Sequence, residues 1–100
     1  MSINSNILEE ISFKIKDLKE ELAARYSVRS IGIFGSVVKG RYKRESDVDI
    51  LVELNEPTFD HYMELKFRLE ELLGCDVDLV LRDSIKPRLR SIIEKEVQYV

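Results

Sequence analysis

Two apolar runs joined through a glycine-containing turn constrain the fold of this chain more than any other feature. The first run, Val28 to Phe34, ends at Gly35-Ser36, and the second covers Val48 to Leu54. Short apolar runs that are bounded by glycine and polar residues are typical of buried β-strands. About a dozen residues join the two runs, which is enough for either a wide hairpin or a minimal crossover. The pattern therefore predicts two strands and leaves their relative direction open.

The rest of the chain alternates amphipathic helical patterns with one more strand-like run. Apolar residues spaced three and four apart predict helices, and glycine, proline and short polar residues mark their ends. The further predicted elements are a helix over about 6–25 capped by Ser5 or Asn6, a helix from Asn55-Glu56-Pro57 to Gly74, a strand over Asp76–Leu81, a helix capped by Asp83 or Ser84, and a short strand or extended arm over 97–100. With a short helix starting near Ser36, the order is α-β-(short α)-β-α-β-α. This order predicts an α/β (α+β) fold with helices packed against a sheet.

Composition is that of one ordinary globular domain covering residues 1–100. The chain is 44% hydrophobic and 35% charged, and it is long enough for one core. A net charge of −3 gives no overall attraction to nucleic acid or to an anionic membrane, so direct nucleic-acid binding is not expected. Cys75 is the only cysteine, which excludes an internal disulfide. Because charges interrupt the N-terminal segment, we expect neither a signal peptide nor a membrane span, and a cytoplasmic location.

Two pairs of aspartates lie in strand positions where carboxylates are costly. Asp47 and Asp49 open the second apolar run, and Asp76 and Asp78 open the third. Residues two apart on a strand share a face, and a carboxylate on a buried strand needs a partner or a cation. Such oxygen ligands suit Mg²⁺. Taken alone, Ser46-Asp47-x-Asp49 is more often a capped turn beside a solvated strand edge. Of the second pair, Asp78 is preferred because it lies deeper in its apolar run.

The glycine turn adds a second element of chemistry. Gly35 lets the backbone turn sharply and approach a ligand closely. Ser36 offers a hydroxyl and begins a row of backbone N–H groups that can meet a phosphate, and Gly40 would close the segment. Taken alone, this is an ordinary strand-to-helix turn. Next to paired carboxylates, it predicts metal-dependent chemistry on a nucleotide.

Basic residues surround these positions without having one evident role. A first cluster lies between the turn and the aspartates: Lys39, Arg41, Lys43 and Arg44. It could neutralise a triphosphate, hold a partner, or form a solvated loop. Arg82 follows the third strand and could contact a phosphate, whereas Lys86, Arg88 and Arg90 are typical of a charged outer helix face. His61 is isolated and indicates no metal site.

Residues 35–52 resemble the signature of the DNA polymerase β-type nucleotidyltransferase superfamily, and more narrowly that of the minimal nucleotidyltransferase (MNT) family. The family pattern is Gly-Ser, three residues, Gly, five residues, Ser-Asp-x-Asp and an apolar strand, and the spacing here matches throughout. Six fixed residues at fixed spacing would arise by chance in a chain of this length about once in 10⁵, at average residue usage. Val38-Lys39 departs from the Ala-Arg of many members.

The resemblance implies a fold and a site. The fold would be a single-domain minimal nucleotidyltransferase fold with a small mixed sheet. The carboxylates that the family pattern assigns to catalysis and to metal binding, which would be two Mg²⁺ ions, are Asp47, Asp49 and Asp78. The residues that it places around the nucleotide, which would be ATP, are Gly35, Ser36, Gly40 and Ser46. The match is looser for Asp78 than for the signature itself, so the choice between Asp76 and Asp78 stays open.

The resemblance also implies a biological role. Members of the family are typically antitoxins encoded beside a HEPN ribonuclease toxin, and some transfer AMP from ATP to a tyrosine of that toxin. We therefore expect a Mg²⁺-dependent transferase with a HEPN-type toxin as its partner. One alternative is an antitoxin that neutralises its partner by contact alone. Another is an enzyme that modifies a small molecule, but such enzymes usually carry a second substrate-binding domain.

Overall fold

A four-stranded sheet forms the centre of the fold in the computed structural model, which describes residues 3–43 and 46–100. The strands are β1 (Val28–Phe34), β2 (Val48–Leu54), β3 (Val77–Leu81) and β4 (Gln98–Tyr99). Their spatial order is β3-β2-β1-β4. The helices are α1 (Ile3–Asp17), α2 (Lys19–Tyr26), α3 (Phe59–Leu73) and α4 (Pro87–Glu96), with a 3₁₀ turn over Arg82–Ser84.

Strand directions make the sheet mixed, as predicted. β1 runs antiparallel to both β2 and β4, whereas β2 and β3 are parallel. The link between β1 and β2 is therefore a wide hairpin, which resolves the alternative that the sequence left open. α3 provides the crossover that a parallel pair requires, because the chain must return to the same end of the sheet.

The main core lies between one face of the sheet and the first three helices. Its most buried side chains come from alternating strand positions and from one stripe on each helix. Those with at most 1% exposure are Ile15, Leu22, Ile31, Ile33, Val48, Ile50, Val52, Leu65 and Leu69. Leu51 is also buried but lies outside this cluster, in agreement with the alternation of side chains along β2. The opposite face of the sheet is thus left for polar groups and for α4.

An irregularity in β1 changes which residues face the core. Strict alternation predicts that Arg29 shares a face with Ile31. The register between β1 and β2 shifts between Val28 and Ser30, so Val28 and Ile31 both enter the core while Arg29 is exposed. This β-bulge keeps the arginine in water without interrupting the apolar face.

The first predicted helix is divided into two. Leu18 separates α1 from α2, and its N–H donates to the carbonyl of Ile15 at 3.1 Å, the three-residue spacing of a 3₁₀ turn. Helical periodicity persists across the break, which is why the sequence predicted one element. α1 begins at Ile3, so Ser5 and Asn6 lie within the helix rather than at its cap.

The other helix boundaries follow local chemistry. Thr58 caps α3 by accepting from the His61 N–H at 3.1 Å, and Gly74 ends the helix at a φ of 70°. α4 begins at Pro87, later than a cap at Asp83 or Ser84 would place it. Proline is accommodated only in the first turn of a helix, so the preceding residues form a separate 3₁₀ turn. None of the helices in the described ranges has the length and apolarity that a bilayer crossing requires.

Candidate active site

Strand register brings aspartates from two strands together at one end of the sheet. Asp49 on β2 is the register partner of Asp78 on β3, and the two side chains are hydrogen-bonded. Asp47 lies two residues before Asp49, so alternation directs both to the same face. The charge of Asp47 also acts on Asp49. Three of the four candidate carboxylates are thus neighbours, as the sequence predicted for its preferred set.

The crowding of these carboxylates changes the chemistry of Asp49. The pKa of Asp49 is raised from 3.8 to about 6, chiefly by burial, and the charges of Asp78 and Asp47 and the hydrogen bond with Asp78 act in the same direction. The backbone N–H of Ser36 donates to the Asp49 carboxylate and opposes this change. Asp49 is half-buried, whereas Asp47 and Asp78 are exposed. Like charges held this close are stabilised by a cation.

The side chains of Asp47, Asp49 and Asp78 supply the oxygen donors that a hard divalent cation prefers. Among residues 3–43 and 46–100, no three His, Cys, Asp or Glu side chains are already arranged to hold a metal ion. The carboxylates of Asp47 and Asp78 are exposed beside Asp49, and carboxylate oxygens are the ligands that Mg²⁺ prefers. The donor set therefore suits Mg²⁺.

Gly35 brings the turn against the aspartates. Its φ of 76° lies in the left-handed region, and a Cβ at this position would overlap the carboxylate of Asp49. A side chain is therefore excluded both by backbone conformation and by space. The strand-to-turn junction lies directly beside Asp49, which is where a ligand held by the turn would meet the carboxylates.

The segment after Gly35 is a single turn and not the short helix that the sequence predicted. The Lys39 N–H donates to the Gly35 carbonyl at 3.0 Å, and the Arg41 N–H donates to the Ser36 carbonyl at 2.8 Å. Gly40, with a φ of 73°, ends this single turn. Residues 35–40 are accordingly a turn and not a helix.

A residue that the sequence did not identify contacts this turn. Oε1 of Glu96, at the end of α4, accepts from the Gly35 N–H at 3.0 Å, and its Oε2 lies 3.3 Å from Nζ of Lys39. The Ser36 N–H donates to Asp49, so carboxylates of the chain accept from the first N–H that was expected to face a phosphate and from the Gly35 N–H before it. No local signal marks Glu96, because 61 residues separate it from Gly35.

The other predicted site residues have local structural contacts. The Ser46 N–H donates to the Lys43 carbonyl at 2.8 Å, which shapes the loop just before Asp47. The Asp76 carbonyl accepts from the Val48 N–H at 3.0 Å, whereas its side chain is exposed. Arg44 lies outside the described residues. The nucleotide and metal roles of these residues remain predictions.

Tyr42 is a further residue that the sequence did not associate with the site. Its hydroxyl and the Cys75 thiol are hydrogen-bond partners, and burial is the main reason that its pKa is raised. This contact joins the loop that leads to Asp47 to the segment that leads to β3. It therefore helps to fix the two acidic segments relative to each other.

Arg82 has a different environment from the one suggested by its sequence position. Its guanidinium pairs with Glu94 and lies 3.7 Å from Glu53, which also accepts from Ser30 at 2.9 Å. Arg82 follows Asp78 by four residues, which corresponds to about 13 Å along a strand. The arginine connects α4 to the sheet, and the expectation of a phosphate contact has no support. His61 contacts the Glu56 carbonyl at 2.7 Å near the start of α3.

This chain is similar to known proteins both in sequence and in fold. Residues 15–100 match the nucleotidyltransferase domain family. Protein adenylyltransferase MntA of Thermococcus cleftensis is 47% identical over 94 residues, which cover 93% of this chain and 95% of that protein. A solved structure named as a candidate minimal nucleotidyltransferase is 35% identical with a TM-score of 0.78, covering 91% of this chain and 93% of that one. The chain belongs to the MNT family. The expected family, fold class and enzyme class are confirmed, and the MNT chain is a nucleotidyltransferase.

Two MNT-like structures contain further components. A crystal structure of a toxin–antitoxin with AMP-PNP is 26% identical with a TM-score of 0.68, covering 84% of this chain and 70% of that one. The structure of a tri-AMPylated Shewanella oneidensis HEPN toxin in complex with MNT antitoxin is 24% identical with a TM-score of 0.67, covering 92% and 70%. The second likeness, at this identity, is one of fold alone.

Proposed function

We propose that this MNT chain is a Mg²⁺-dependent antitoxin that transfers AMP from ATP to a tyrosine hydroxyl of a HEPN-type toxin. One observation carries the reaction type: Asp49, the register partner of Asp78, lies directly beside the side-chain-free backbone of Gly35. Carboxylates and a close-approach turn at one point suit a metal-bound triphosphate. The name of the Thermococcus relative supports adenylyl transfer, and the toxin–antitoxin structures support the type of partner.

The three aspartates have the central role in this proposal. Asp47, Asp49 and Asp78 would hold Mg²⁺, and Ser36 and the adjoining turn would orient the triphosphate. Bound Mg²⁺ would supply charge neutralisation at the phosphates and make the acceptor hydroxyl more acidic. The residues need no covalent chemistry of their own, because positioning and charge neutralisation provide most of the rate in phosphoryl-type transfer.

The transfer step is an in-line displacement at the α-phosphorus. The acceptor oxygen forms a bond to the α-phosphorus while the bond from that phosphorus to the bridging oxygen breaks. Pyrophosphate leaves with the bonding electrons, and a site carboxylate accepts the hydroxyl proton. The products are an AMP-modified acceptor and pyrophosphate.

A second candidate function is neutralisation by contact alone. Large apolar side chains are exposed on α1, α3 and α4, among them Phe13 at 72% and Ile92 at 58%. Exposed apolar surface of this kind is typical of a protein–protein contact. An antitoxin of this type would cover its toxin whether or not the aspartates were functional.

A transfer assay tests the proposed reaction. The chain is incubated with α-labelled ATP, Mg²⁺ and the HEPN-type protein encoded beside it, and the partner is then weighed. We expect the partner to gain mass corresponding to one or more AMP groups. The matched control is the double variant Asp47→Asn plus Asp49→Asn, which keeps side-chain size and removes charge. Equal transfer by this variant, or no transfer under any nucleotide and metal, would exclude the proposal.

One variant separates the two candidate functions. Asp47→Asn leaves the exposed helical surfaces unchanged, so it should still bind the partner. If catalysis is required, the bound variant fails to neutralise the toxin's ribonuclease activity. Full neutralisation by the variant would establish inhibition by contact.

A further inference from the structure

We propose that the Glu96 carboxylate competes with the triphosphate at the nucleotide site, occupying phosphate-binding donors of the glycine turn until the triphosphate displaces it. The inference rests on the proposed use of ATP and adds a residue outside the signature. It connects nucleotide binding at the turn to the last helix of the chain.

The geometry places one carboxylate on two donors of the same turn. Oε1 of Glu96 lies 3.0 Å from the Gly35 nitrogen, and Oε2 lies 3.3 Å from Nζ of Lys39. A backbone N–H and an ammonium group both donate hydrogen bonds to phosphate oxygens. The Gly35 Cα adjoins the Asp49 carboxylate, so these donors lie next to the candidate metal ligands. Glu96 therefore occupies a position that suits a phosphate.

The contact is weak enough to be displaced. The Lys39 side chain is 53% exposed and that of Glu96 is 22% exposed. An ion pair with one half-exposed partner contributes about 0–1 kcal/mol, because water competes for both groups. A triphosphate carries several negative charges against the one of Glu96. Phosphate oxygens should consequently replace the carboxylate at little cost.

The helix that carries Glu96 is held mainly by polar contacts. No residue of α4 is fully buried, and Leu89 on this helix is 52% exposed. Its other connections include the Arg82–Glu94 pair and a hydrogen bond from Arg90 to the Ile85 carbonyl at 3.1 Å. Release of Glu96 would therefore loosen the C-terminal turn of α4 without opening the main core.

Calorimetric titration with ATP and Mg²⁺, without an acceptor, tests the inference. Glu96→Gln keeps an oxygen acceptor for the Gly35 N–H but removes the charge that competes for Lys39. We expect its Kd for ATP to fall about 3- to 5-fold. The matched control is Glu94→Gln, on the same helix but paired with Arg82, and its Kd should stay within about twofold of the original value. An unchanged or raised Kd for Glu96→Gln, or an equal fall for both variants, would overturn the inference.

A background variant and an unmodified-chain measurement complete the test. In a chain carrying Lys39→Gln, the gain in ATP affinity caused by Glu96→Gln should be smaller, because the lysine for which Glu96 and phosphate compete is gone. An undiminished gain in affinity counts against the inference.

In the unmodified chain, ATP should speed amide exchange at Val97, whose N–H donates to the Ile93 carbonyl at 3.0 Å and closes the last turn of α4. Slower or equal exchange also contradicts the inference. Absence of ATP binding to every variant would overturn the proposed function as well, whereas equal affinities overturn the inference alone.

Discussion

The backbone of Gly35 lies so close to the carboxylate of Asp49 that a β-carbon at Gly35 would overlap Oδ2. Gly35→Ala should therefore displace Asp49 or the turn, in addition to the strain of a positive φ. We expect nucleotidyl transfer to fall by about 100-fold or more, since small displacements of reacting groups are costly. Stability should fall by about 1–3 kcal/mol, and both effects can be measured by transfer rate and urea unfolding.

Gly74 provides the matched control for that substitution. Its φ of 70° resembles that of Gly35, but a Cβ there meets no atom within 4 Å. Gly74→Ala should cost about 1 kcal/mol of stability through backbone strain and leave transfer unchanged. Equal losses of transfer in the two variants would show that strain, and not the contact with Asp49, limits the reaction.

Asp49 should make metal-free stability depend on pH. Its pKa is raised, chiefly by burial, from 3.8 to about 6, so the folded chain holds this proton more tightly than the unfolded chain does. The contribution of Asp49 to the free energy of unfolding is then fully present below about pH 4 and is lost as pH rises through about 6. Because the carboxyl is half-exposed, solvent screening limits the resulting change in unfolding free energy to about 1 kcal/mol.

The corresponding variant is Asp49→Asn, measured by urea unfolding in a chelator. It should stabilise the chain by about 1 kcal/mol at pH 8 and much less at pH 4. Mg²⁺ should raise the stability of the unmodified chain at pH 8 but not that of the variant. If Asp49→Asn changed the unfolding free energy equally at both pH values, the pH dependence would not come from Asp49.

The third carboxylate should be Asp78 and not Asp76. Asp78 is the register partner of Asp49, whereas the structural contact of Asp76 is made by its backbone carbonyl. Asp78→Asn should reduce transfer by about 100-fold or more, and Asp76→Asn should retain most of it. Parallel transfer assays decide the matter, and the reverse ranking would assign the ligand to Asp76.

Arg82 should contribute to stability and not to nucleotide affinity. Its side chain lies among Glu53, Glu94 and Asp83, so Arg82→Gln leaves these acids without their common partner. We expect a loss in unfolding free energy and an ATP Kd within about twofold of the original. A weaker Kd with unchanged stability would instead indicate the phosphate contact that the sequence suggested.

Local patterns predicted those parts of the fold that local chemistry determines. The bounds of β1 and β2 agree with the apolar runs, and α3 ends at Gly74 as its glycine predicted. The bulge at Arg29 and the start of α4 at Pro87 differ from prediction. The bulge depends on pairing with another strand, and the start of α4 was obscured by two plausible caps just before it.

The site was predictable to the extent that the signature is contiguous. Spacing identified Asp47 and Asp49 beside the glycine turn, because all of these residues lie within one hairpin. Asp78 depends on the register of a parallel pair formed across α3, so the sequence could prefer it but not establish it. Glu96 had no signal at all, since its contact depends on how α4 crosses the sheet. The chemical roles of these residues await the transfer assay.

The separation of 61 residues between Gly35 and Glu96 has a consequence during synthesis. The signature hairpin is synthesised before α4, and translation at about 5–20 residues per second separates the synthesis of Gly35 from that of Glu96 by roughly 3–12 seconds. During that interval the Gly35 N–H and the Lys39 ammonium lack the carboxylate that later covers them. The turn must therefore be made without this contact, which forms only after the last helix has been synthesised.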